Sequence, residues 1–427
     1  MRRTFGTIPG TLVLSLLLAQ AASASAGAGG ESVARADSLF HAGRFEEAAG
    51  AYGEVLAVEP ENGRALWGAG EMALLENRLD DAEDLLRRAV EALPEEKRPR
   101  VLLAESLYRR DRFGEAAPPL RQAGREAFAE QLESFGGAAP YQITGPSDST
   151  VIPFLVTDPL PYVSLRVNGR EGCFLIDTGG PVLGMDPAFA ESAGVELFGE
   201  EEGLFAGGAR AMYRYGRADS IGLGAFTVKN VPVHVKPVRL PPTACGGGPA
   251  VGVIGTVLLY HFHFTLDYPE ERLVLRRRSD ERSERWSREG AREGVHAIPF
   301  WMAGDHFMVA WGTANGAGPF LFLVDTGLAG GGFTSTDLLI EQAGIELTGE
   351  PMRGMGGGGP VEIYPYIMNE LTLGRARQAD IRAFHGAFPA DPDRWGFTVA
   401  GIISHGFFRP YALTFDFDRM RIYLVEH

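Results

Sequence analysis

The stretch Phe174-Leu175-Ile176-Asp177-Thr178-Gly179 returns later in the chain, almost unchanged, as Phe322-Leu323-Val324-Asp325-Thr326-Gly327. In both copies an apolar run that is typical of a buried strand ends in an aspartate and a glycine turn. Four further segments return in the same order: Ile152-Pro153-Phe154 as Ile298-Pro299-Phe300, Ile221-Gly222-Leu223-Gly224 as Leu371-Thr372-Leu373-Gly374, Gly252-Val253-Ile254-Gly255 as Gly401-Ile402-Ile403-Ser404, and Thr265-Leu266-Asp267-Tyr268 as Thr414-Phe415-Asp416-Phe417. All five offsets lie between 146 and 150 residues. This nearly constant register indicates two homologous lobes.

Each lobe contains an apolar strand ending in Asp-Thr-Gly, a glycine-rich hairpin, a strand of the form Gly-x-Ile-Gly and a closing strand pair. This order resembles the retropepsin-like aspartic proteases, in which two lobes each give one Asp-Thr-Gly loop to a shared site. Because the sequence carries both loops, the resemblance implies a single-chain form. We expect all-β lobes at 147–275 and 295–427, joined by a charged linker at 276–294. Ser404 departs from the pattern, because it replaces the second glycine of Gly-x-Ile-Gly in lobe two.

The resemblance implies that Asp177 and Asp325 are the catalytic pair of an aspartic-type endopeptidase, with no cofactor and no metal. Two carboxylates about 3 Å apart share one proton, so that one can activate water and the other can protonate the substrate. A glycine after each Asp-Thr lets the loops approach without a Cβ between them. The threonines, by resemblance, hydrogen-bond across the axis between the lobes. The supporting loop residues are Thr178, Gly179, Thr326 and Gly327.

Two glycine-rich segments, 203–210 and 354–360, are expected to form mobile hairpins that cover the substrate. Ordinary flexible loops are the alternative interpretation. The candidate substrate-binding residues in these hairpins are Gly207, Gly208, Gly356 and Gly357. Asp186 and Asp337 follow their Asp-Thr-Gly loops by about ten residues and are interpreted as turn or helix-cap residues.

Three histidines bear on an alternative class of protein, the metal hydrolases. His261 and His263 flank Phe262 and are expected on one face of a strand, with His405 on the equivalent strand of lobe two. No His-Glu-x-x-His motif occurs, and no third ligand is fixed by spacing. We therefore interpret these histidines as scattered surface or strand residues and predict no metal site.

The first third of the chain repeats with a period of 34 residues. Gly43-Arg44-Phe45-Glu46-Glu47-Ala48 returns as Asn77-Arg78-Leu79-Asp80-Asp81-Ala82 and as Asp111-Arg112-Phe113-Gly114-Glu115-Ala116. The period and the small alanine positions resemble the tetratricopeptide repeat, a helical hairpin whose units must stack to bury their apolar faces. The resemblance covers 32–130 and implies an all-α solenoid that binds a protein substrate or partner. A helical spacer or dock for the lobes is the alternative. Pro118 and Pro119 fall in the second helix of the third unit, which we expect to be short.

Residues 1–26 have the features of an export signal: Arg2 and Arg3, an apolar run from Thr11 to Ala22, and small residues before a cleavage site. That run is too short to span a bilayer comfortably, and no other stretch reaches spanning length. The sequence therefore predicts an exported protein, periplasmic or secreted, without a stable membrane span. The formal charge of −15 argues against nucleic acid or an anionic membrane surface as a partner.

The chain has two cysteines, Cys173 and Cys245, both in lobe one. In an oxidising compartment they can form a disulfide. The interpretation that the sequence favours is two small buried apolar residues.

The predicted protein is thus multidomain, with an N-terminal all-α tetratricopeptide solenoid and C-terminal all-β, duplicated retropepsin-like lobes. The predicted function is that of an exported peptidase that hydrolyses peptide bonds with an aspartate pair. The alternative from another class is a catalytically inactive scaffold that binds peptides.

Overall fold

The computed structural model describes residues 30–204, 210–238, 240, 243–347, 349–356, 359–386 and 395–426. The predicted export signal lies outside the described residues, and so do three of the four predicted hairpin glycines, Gly207, Gly208 and Gly357. Among the helices of the described part, none is long and apolar enough to cross a membrane.

Residues 30–133 contain seven helices. They are α1 (30–41), α2 (Phe45–Val58), α3 (Gly63–Leu75), α4 (Leu79–Ala92), α5 (Arg98–Arg109), α6 (Phe113–Gln122) and α7 (Glu126–Glu133). The repeated alanines Ala48, Ala82 and Ala116 are completely buried, so neighbouring helices pack closely at these positions. The α6 helix contains both prolines and is 10 residues long, against 14 for α2 and α4.

The rest of the chain is mainly β-structure. The strands are β1 (Gln142–Thr144), β2 (Ser149–Pro153), β3 (Tyr162–Val167), β4 (Arg170–Ile176), β5 (Leu183–Met185), β6 (Glu196–Leu204), β7 (Arg210–Leu223), β8 (Phe226–Val235), β9 (Gly252–Ile254), β10 (Phe262–Asp267), β11 (Arg272–Arg277), β12 (Val295–Pro299), β13 (Trp301–Ala303), β14 (Phe307–Ala314), β15 (Ala317–Val324), β16 (Phe333–Ser335), β17 (Met352–Gly356), β18 (Gly359–Leu373), β19 (Ala376–His385), β20 (Gly401–Ile403), β21 (Tyr411–Asp416) and β22 (Arg421–Glu426). The helices among them are α8 (Pro187–Ser192), α9 (Thr256–Tyr260), α10 (Asp280–Glu289), α11 (Asp337–Gln342) and α12 (His405–Phe408).

The two lobes share their strand arrangement apart from one edge strand each, β1 on β8 in lobe one and β13 on β14 in lobe two. The strand orders of the two lobes run in opposite directions. In lobe one the order is β1-β8-β5-β9-β4-β3-β7-β6, and in lobe two it is β13-β14-β15-β20-β16-β19-β18-β17. The strand that precedes each Asp-Thr-Gly loop pairs in parallel with the Gly-x-Ile strand, β4 with β9 and β15 with β20. The aspartates therefore follow central strands whose apolar side chains are buried.

A third, six-stranded sheet joins the lobes, in the order β12-β22-β21-β10-β11-β2. Its central pair, β10 and β21, brings one strand from each lobe together, and Thr265 lies opposite Thr414 with their hydroxyl oxygens 2.7 Å apart. The predicted linker at 276–294 is not simply a polar connection, because it contains the end of β11 and the helix α10. Ser279 caps α10 by accepting from the Arg282 N–H.

One edge of the helical array contacts both lobes, and α7 also packs against lobe one, where Gln131 donates to the Gly216 carbonyl oxygen at 2.6 Å. The edge consists of the turns at Gly43, Asn77 and Asp111, which are 34 residues apart and have φ of +72°, +58° and +60°. Glycine, asparagine and aspartate tolerate this left-handed backbone better than other residues. Gly43 faces Trp311 and Leu321 of lobe two. The Asn77 side chain donates to the Phe417 carbonyl oxygen and accepts from the Tyr260 hydroxyl. Asp111 is hydrogen-bonded to His261 of lobe one. The repeat period thus places three equivalent turns against the lobes.

Cys173 and Cys245 form a disulfide, so the favoured interpretation of two separate apolar residues is wrong. The bond ties β4 to the loop that precedes β9. In lobe two, Leu321 stands at the position equivalent to Cys173, and it packs in an apolar cluster with Phe45 and Phe397. The same surface is therefore closed by a covalent bond in lobe one and by the helical array in lobe two.

Candidate active site

Asp177 and Asp325 lie at the ends of β4 and β15, where the two lobes meet. The backbone N–H of Asp177 donates to Ile254 O at 3.0 Å, and that of Asp325 donates to Ile403 O at 3.1 Å. Each carboxylate accepts from a backbone N–H two residues on, at 2.9 Å in lobe one and 2.7 Å in lobe two. Both side chains are thus oriented by their own loops as well as by the strands.

The glycines of the two loops make the close approach possible. A Cβ on Gly179 would overlap the carboxyl group of Asp325, and a Cβ on Gly327 would overlap that of Asp177. Each carboxylate therefore fills the space that a side chain on the opposite loop would need. This reciprocal contact places the two carboxyl groups together across the lobe boundary.

Thr178 and Thr326 connect the two loops by reciprocal hydrogen bonds. The backbone N–H of each threonine donates to the hydroxyl oxygen of the other at 3.1 Å. Each hydroxyl donates in turn to a carbonyl oxygen of the opposite strand, Val324 O at 3.4 Å and Ile176 O at 3.3 Å. Both threonines are fully buried, so these bonds have no competition from water.

The proximity of the two carboxyl groups affects the pKa of Asp325. Burial, the charge of Asp177 and the hydrogen bond between the carboxyl groups raise the pKa of Asp325 well above its usual value. The backbone N–H groups of Gly327 and Gly179 oppose this rise but do not reverse it. The two carboxyl groups therefore share a proton under conditions in which an isolated aspartate is ionised.

The described residues of the two glycine-rich segments belong to antiparallel strand pairs. β6 and β7 form the hairpin of lobe one, and β17 and β18 form that of lobe two, where Gly356 lies opposite Gly359. On these hairpins the apolar side chains of Met212, Met352 and Met355 are exposed. Gly356 is thus on a hairpin as expected.

Asp186 and Asp337 are apart from the carboxylate pair. Asp186 caps α8 by accepting from the Ala188 N–H at 3.0 Å, as expected. The cap of α11 is Thr336, not Asp337, because Thr336 accepts from Leu339 N–H while Asp337 is the first helical residue.

The three histidines do not meet, and the expectation that two of them share a strand face is wrong. His261 precedes β10 and binds Asp111, whereas His263 is fully buried within β10. His405 begins α12 rather than lying on the equivalent strand. It bonds to Asp158 of lobe one at 3.1 Å, and Arg409 binds the same carboxylate at 2.8 Å. This contact between the lobes was not predicted from the sequence, because Asp158 lies in no repeated segment.

One group of side chains, His263, Asp416 and Asp418, has ligand atoms within 4.8 Å of one another and could hold a metal ion. The carboxylates already have protein partners, however. Arg278 binds Asp418, and Asp416 Oδ1 accepts from the Ser283 hydroxyl at 3.0 Å. We interpret the group as an ion-pair network that fixes α10 to the interlobe sheet.

Comparisons with known proteins match both the helical part and the β-rich part of the chain. Residues 163–258 and 310–387 match the family model described as aspartyl protease, and residues 33–97 match a tetratricopeptide repeat model. A search of curated proteins found no match. Among solved structures, a retropepsin-like aspartic protease from Rickettsia conorii is similar at 18% identity and a TM-score of 0.22, covering 32% of this chain and 92% of that one.

The chain therefore carries a helical tetratricopeptide region followed by a β-rich region of the aspartic peptidase type, and this recognition from the sequence is confirmed.

Proposed function

We propose that the protein is an aspartic endopeptidase in which Asp177 and Asp325 hydrolyse peptide bonds by activating water. The observation that carries this proposal is the reciprocal contact of the two loops, in which each carboxyl group occupies the space over the glycine of the other. A metal-free hydrolysis needs a base and an acid at one point, and two coupled carboxyl groups supply both.

The two roles are divided between the two carboxyl groups. In this proposal Asp325, whose pKa is raised by burial and by Asp177, carries the shared proton and donates a hydrogen bond to the carbonyl oxygen of the substrate. Asp177 then accepts the proton of the attacking water. Attack of the water gives a gem-diol. Asp177 then passes its proton to the amide nitrogen, the C–N bond breaks, and Asp325 recovers a proton from a gem-diol hydroxyl, so that no covalent enzyme intermediate forms. The hairpins β6–β7 and β17–β18 are the elements that we propose close over an extended peptide.

The test is cleavage of a mixed peptide library by the full chain across roughly pH 3 to 8. Asp177→Asn and Asp325→Asn should each lose activity while keeping the wild-type melting temperature. Asp186→Asn is the matched control, since an asparagine still caps α8 and lies outside the pair. Cleavage that survives in both dyad variants contradicts the proposal. Peptide binding without cleavage by the wild type would favour the inactive scaffold.

We also propose that the protein is exported, to the periplasm or beyond. The composition of residues 1–26 supports this, and so does the disulfide, because such bonds persist in oxidising compartments. Cell fractionation and N-terminal sequencing of the mature chain test the proposal. A cytosolic protein that keeps its first residues would contradict it.

The helical array is proposed to recruit a protein substrate or partner. Its turn edge is occupied by contacts with the lobes, so recruitment must use another face of the helices. Val58 on α2 is a suitable probe, because this apolar side chain is 77% exposed. Val58→Lys should lower kcat/KM for a folded protein substrate and leave that for a short peptide unchanged. Equal values for both substrates would contradict recruitment through this face.

A further inference from the structure

The two Asp-Thr-Gly loops are closed in different ways. In lobe one the loop is closed directly, because the Gly180 N–H donates to the Asp177 carbonyl oxygen at 3.1 Å. In lobe two a side chain takes the place of this direct bond. The Leu328 N–H donates to the hydroxyl oxygen of Ser404 at 3.1 Å, and that hydroxyl donates to the Asp325 carbonyl oxygen.

Ser404 stands where lobe one has Gly255, and lobe one has no room for a serine. A Cβ on Gly255 would overlap the carbonyl group of Pro181. Lobe two makes room because its loop is longer. From the aspartate to the next strand there are six positions in lobe one, to Leu183, and eight in lobe two, to Phe333. The serine and the two extra loop residues therefore form one structural change.

The hydroxyl that stabilises the loop of lobe one comes from a different position. Thr256, the residue after Gly255, donates to the carbonyl oxygen of Thr178 at 2.7 Å. In lobe two the residue after Ser404 is His405, whose side chain is turned away to Asp158 of lobe one. Besides the threonines of Asp-Thr-Gly, each loop thus has one buried supporting hydroxyl, but only that of lobe two bonds to the carbonyl oxygen of the aspartate itself.

We propose that Ser404 is a positioning residue that holds the Asp325 carboxyl group against that of Asp177 and makes the two aspartates inequivalent. This inference rests on the proposed peptidase function and deepens it. Ser404 is completely buried, so its two hydrogen bonds are not replaced by water when the hydroxyl is lost. Without them the Asp325 turn opens, the two carboxyl groups separate, and their coupling weakens.

The test compares Ser404→Ala with Thr334→Val in the full-length protein. Thr334 is a matched control, because it is a buried residue of the neighbouring strand β16 whose hydroxyl finds no partner within the described ranges. Ser404→Ala should lower kcat about tenfold with little change in KM. The alkaline limb of its pH profile should move to lower pH, since a weaker coupling raises the pKa of Asp325 less. Thr334→Val should keep the wild-type rate and profile.

Ser404→Gly is the second variant, for the case that the alanine variant does not fold. This variant removes the same hydroxyl while the loop keeps its two extra residues, so the rate should fall and the alkaline limb of the pH profile should move to lower pH, as in Ser404→Ala. If the alkaline limb of the pH profile is unchanged in the folded Ser404 variants, the proposal is overturned, even if kcat falls.

A readout without activity separates this inference from the proposed function. The carboxyl carbon of Asp325 can be followed by NMR titration of aspartate-labelled protein, with Asp325→Asn for assignment. If the wild type cleaves no peptide, the peptidase proposal fails, but a lowered pKa of Asp325 in the Ser404 variants still supports the positioning role. An unchanged titration of Asp325 refutes that role.

Discussion

Thr178 and Thr326 exchange hydrogen bonds of equal length, 3.1 Å from each backbone N–H to the other hydroxyl oxygen. Thr178→Val should leave the buried N–H of Thr326 without an acceptor, which costs roughly 1–3 kcal/mol of the free energy of unfolding. Because the same bonds position both aspartates, kcat should also fall. Urea denaturation and peptide cleavage measure the two effects.

The double variant Thr178→Val/Thr326→Val provides the control for this pair. Two residues in one network are not independent, so its loss of stability should be smaller than the sum of the single losses. Additive losses would show that the two threonines act separately.

The docking of the helical array is tested at Asn77. Asn77→Gly keeps the left-handed turn but removes the hydrogen bonds to Phe417 O, at 3.0 Å, and to the Tyr260 hydroxyl, at 3.1 Å. We expect a loss of about 1–2 kcal/mol in the free energy of unfolding, and faster hydrogen exchange in α3 and α4. Glu271→Gly is the control, because Glu271 has a φ of +50° in an exposed turn of the interlobe sheet. Equal losses in both variants would mean that the contact at Asn77 does not stabilise the docked array.

The duplication and the 34-residue period were sufficient to predict the lobes, the helical array and the pair Asp177 and Asp325, because each depends on local pattern repeated in order. The docking contacts were not predictable in this way. The positions of Gly43, Asn77 and Asp111 are visible in the repeat, but the sequence does not say which edge of a solenoid meets the lobes. The hydrogen bonds of Ser404 were not predictable for a similar reason, since they depend on two extra residues in a loop about 70 residues earlier in the chain.

The disulfide is the clearest case of information missing from the pattern. Whether two distant cysteines meet depends on the path of the loop before β9, which carries no periodic signal.

Cys173 and Cys245 are separated by 72 residues, so reduction frees a long loop of the unfolded chain. We expect a reducing agent to lower the free energy of unfolding by roughly 2–4 kcal/mol. The double variant Cys173→Ala/Cys245→Ala should melt at one temperature with or without reductant. A wild-type protein that is equally insensitive to reductant would contradict a stabilising role for the bond.

The network around His263 should make the stability of the interlobe sheet depend on pH. Burial opposes protonation of His263, but the Asp416 carboxylate at 3.6 Å and the hydrogen bond to Asp418 at 2.8 Å outweigh burial and raise the pKa of His263. Burial also opposes ionisation of Asp418, but hydrogen bonds from His263 and Arg278 outweigh it and lower the pKa of Asp418. The histidine therefore contributes fully below its unfolded pKa, and that contribution is lost as the pH rises through the folded value. The aspartate contributes fully above its unfolded pKa, and its contribution is lost as the pH falls through the folded value.

Both contributions are complete between roughly pH 4 and 6.5, the unfolded pKa values of aspartate and histidine. Asp418→Asn should therefore lower the melting temperature by roughly 2–6 °C in this window, and by less at higher or lower pH. Melting curves across the pH range measure the difference. Glu284→Gln removes the same charge from an exposed position of α10, and it should leave the melting temperature nearly unchanged at every pH. A deficit in Asp418→Asn that does not vary with pH would show that packing, not the ion pair, connects α10 to the sheet.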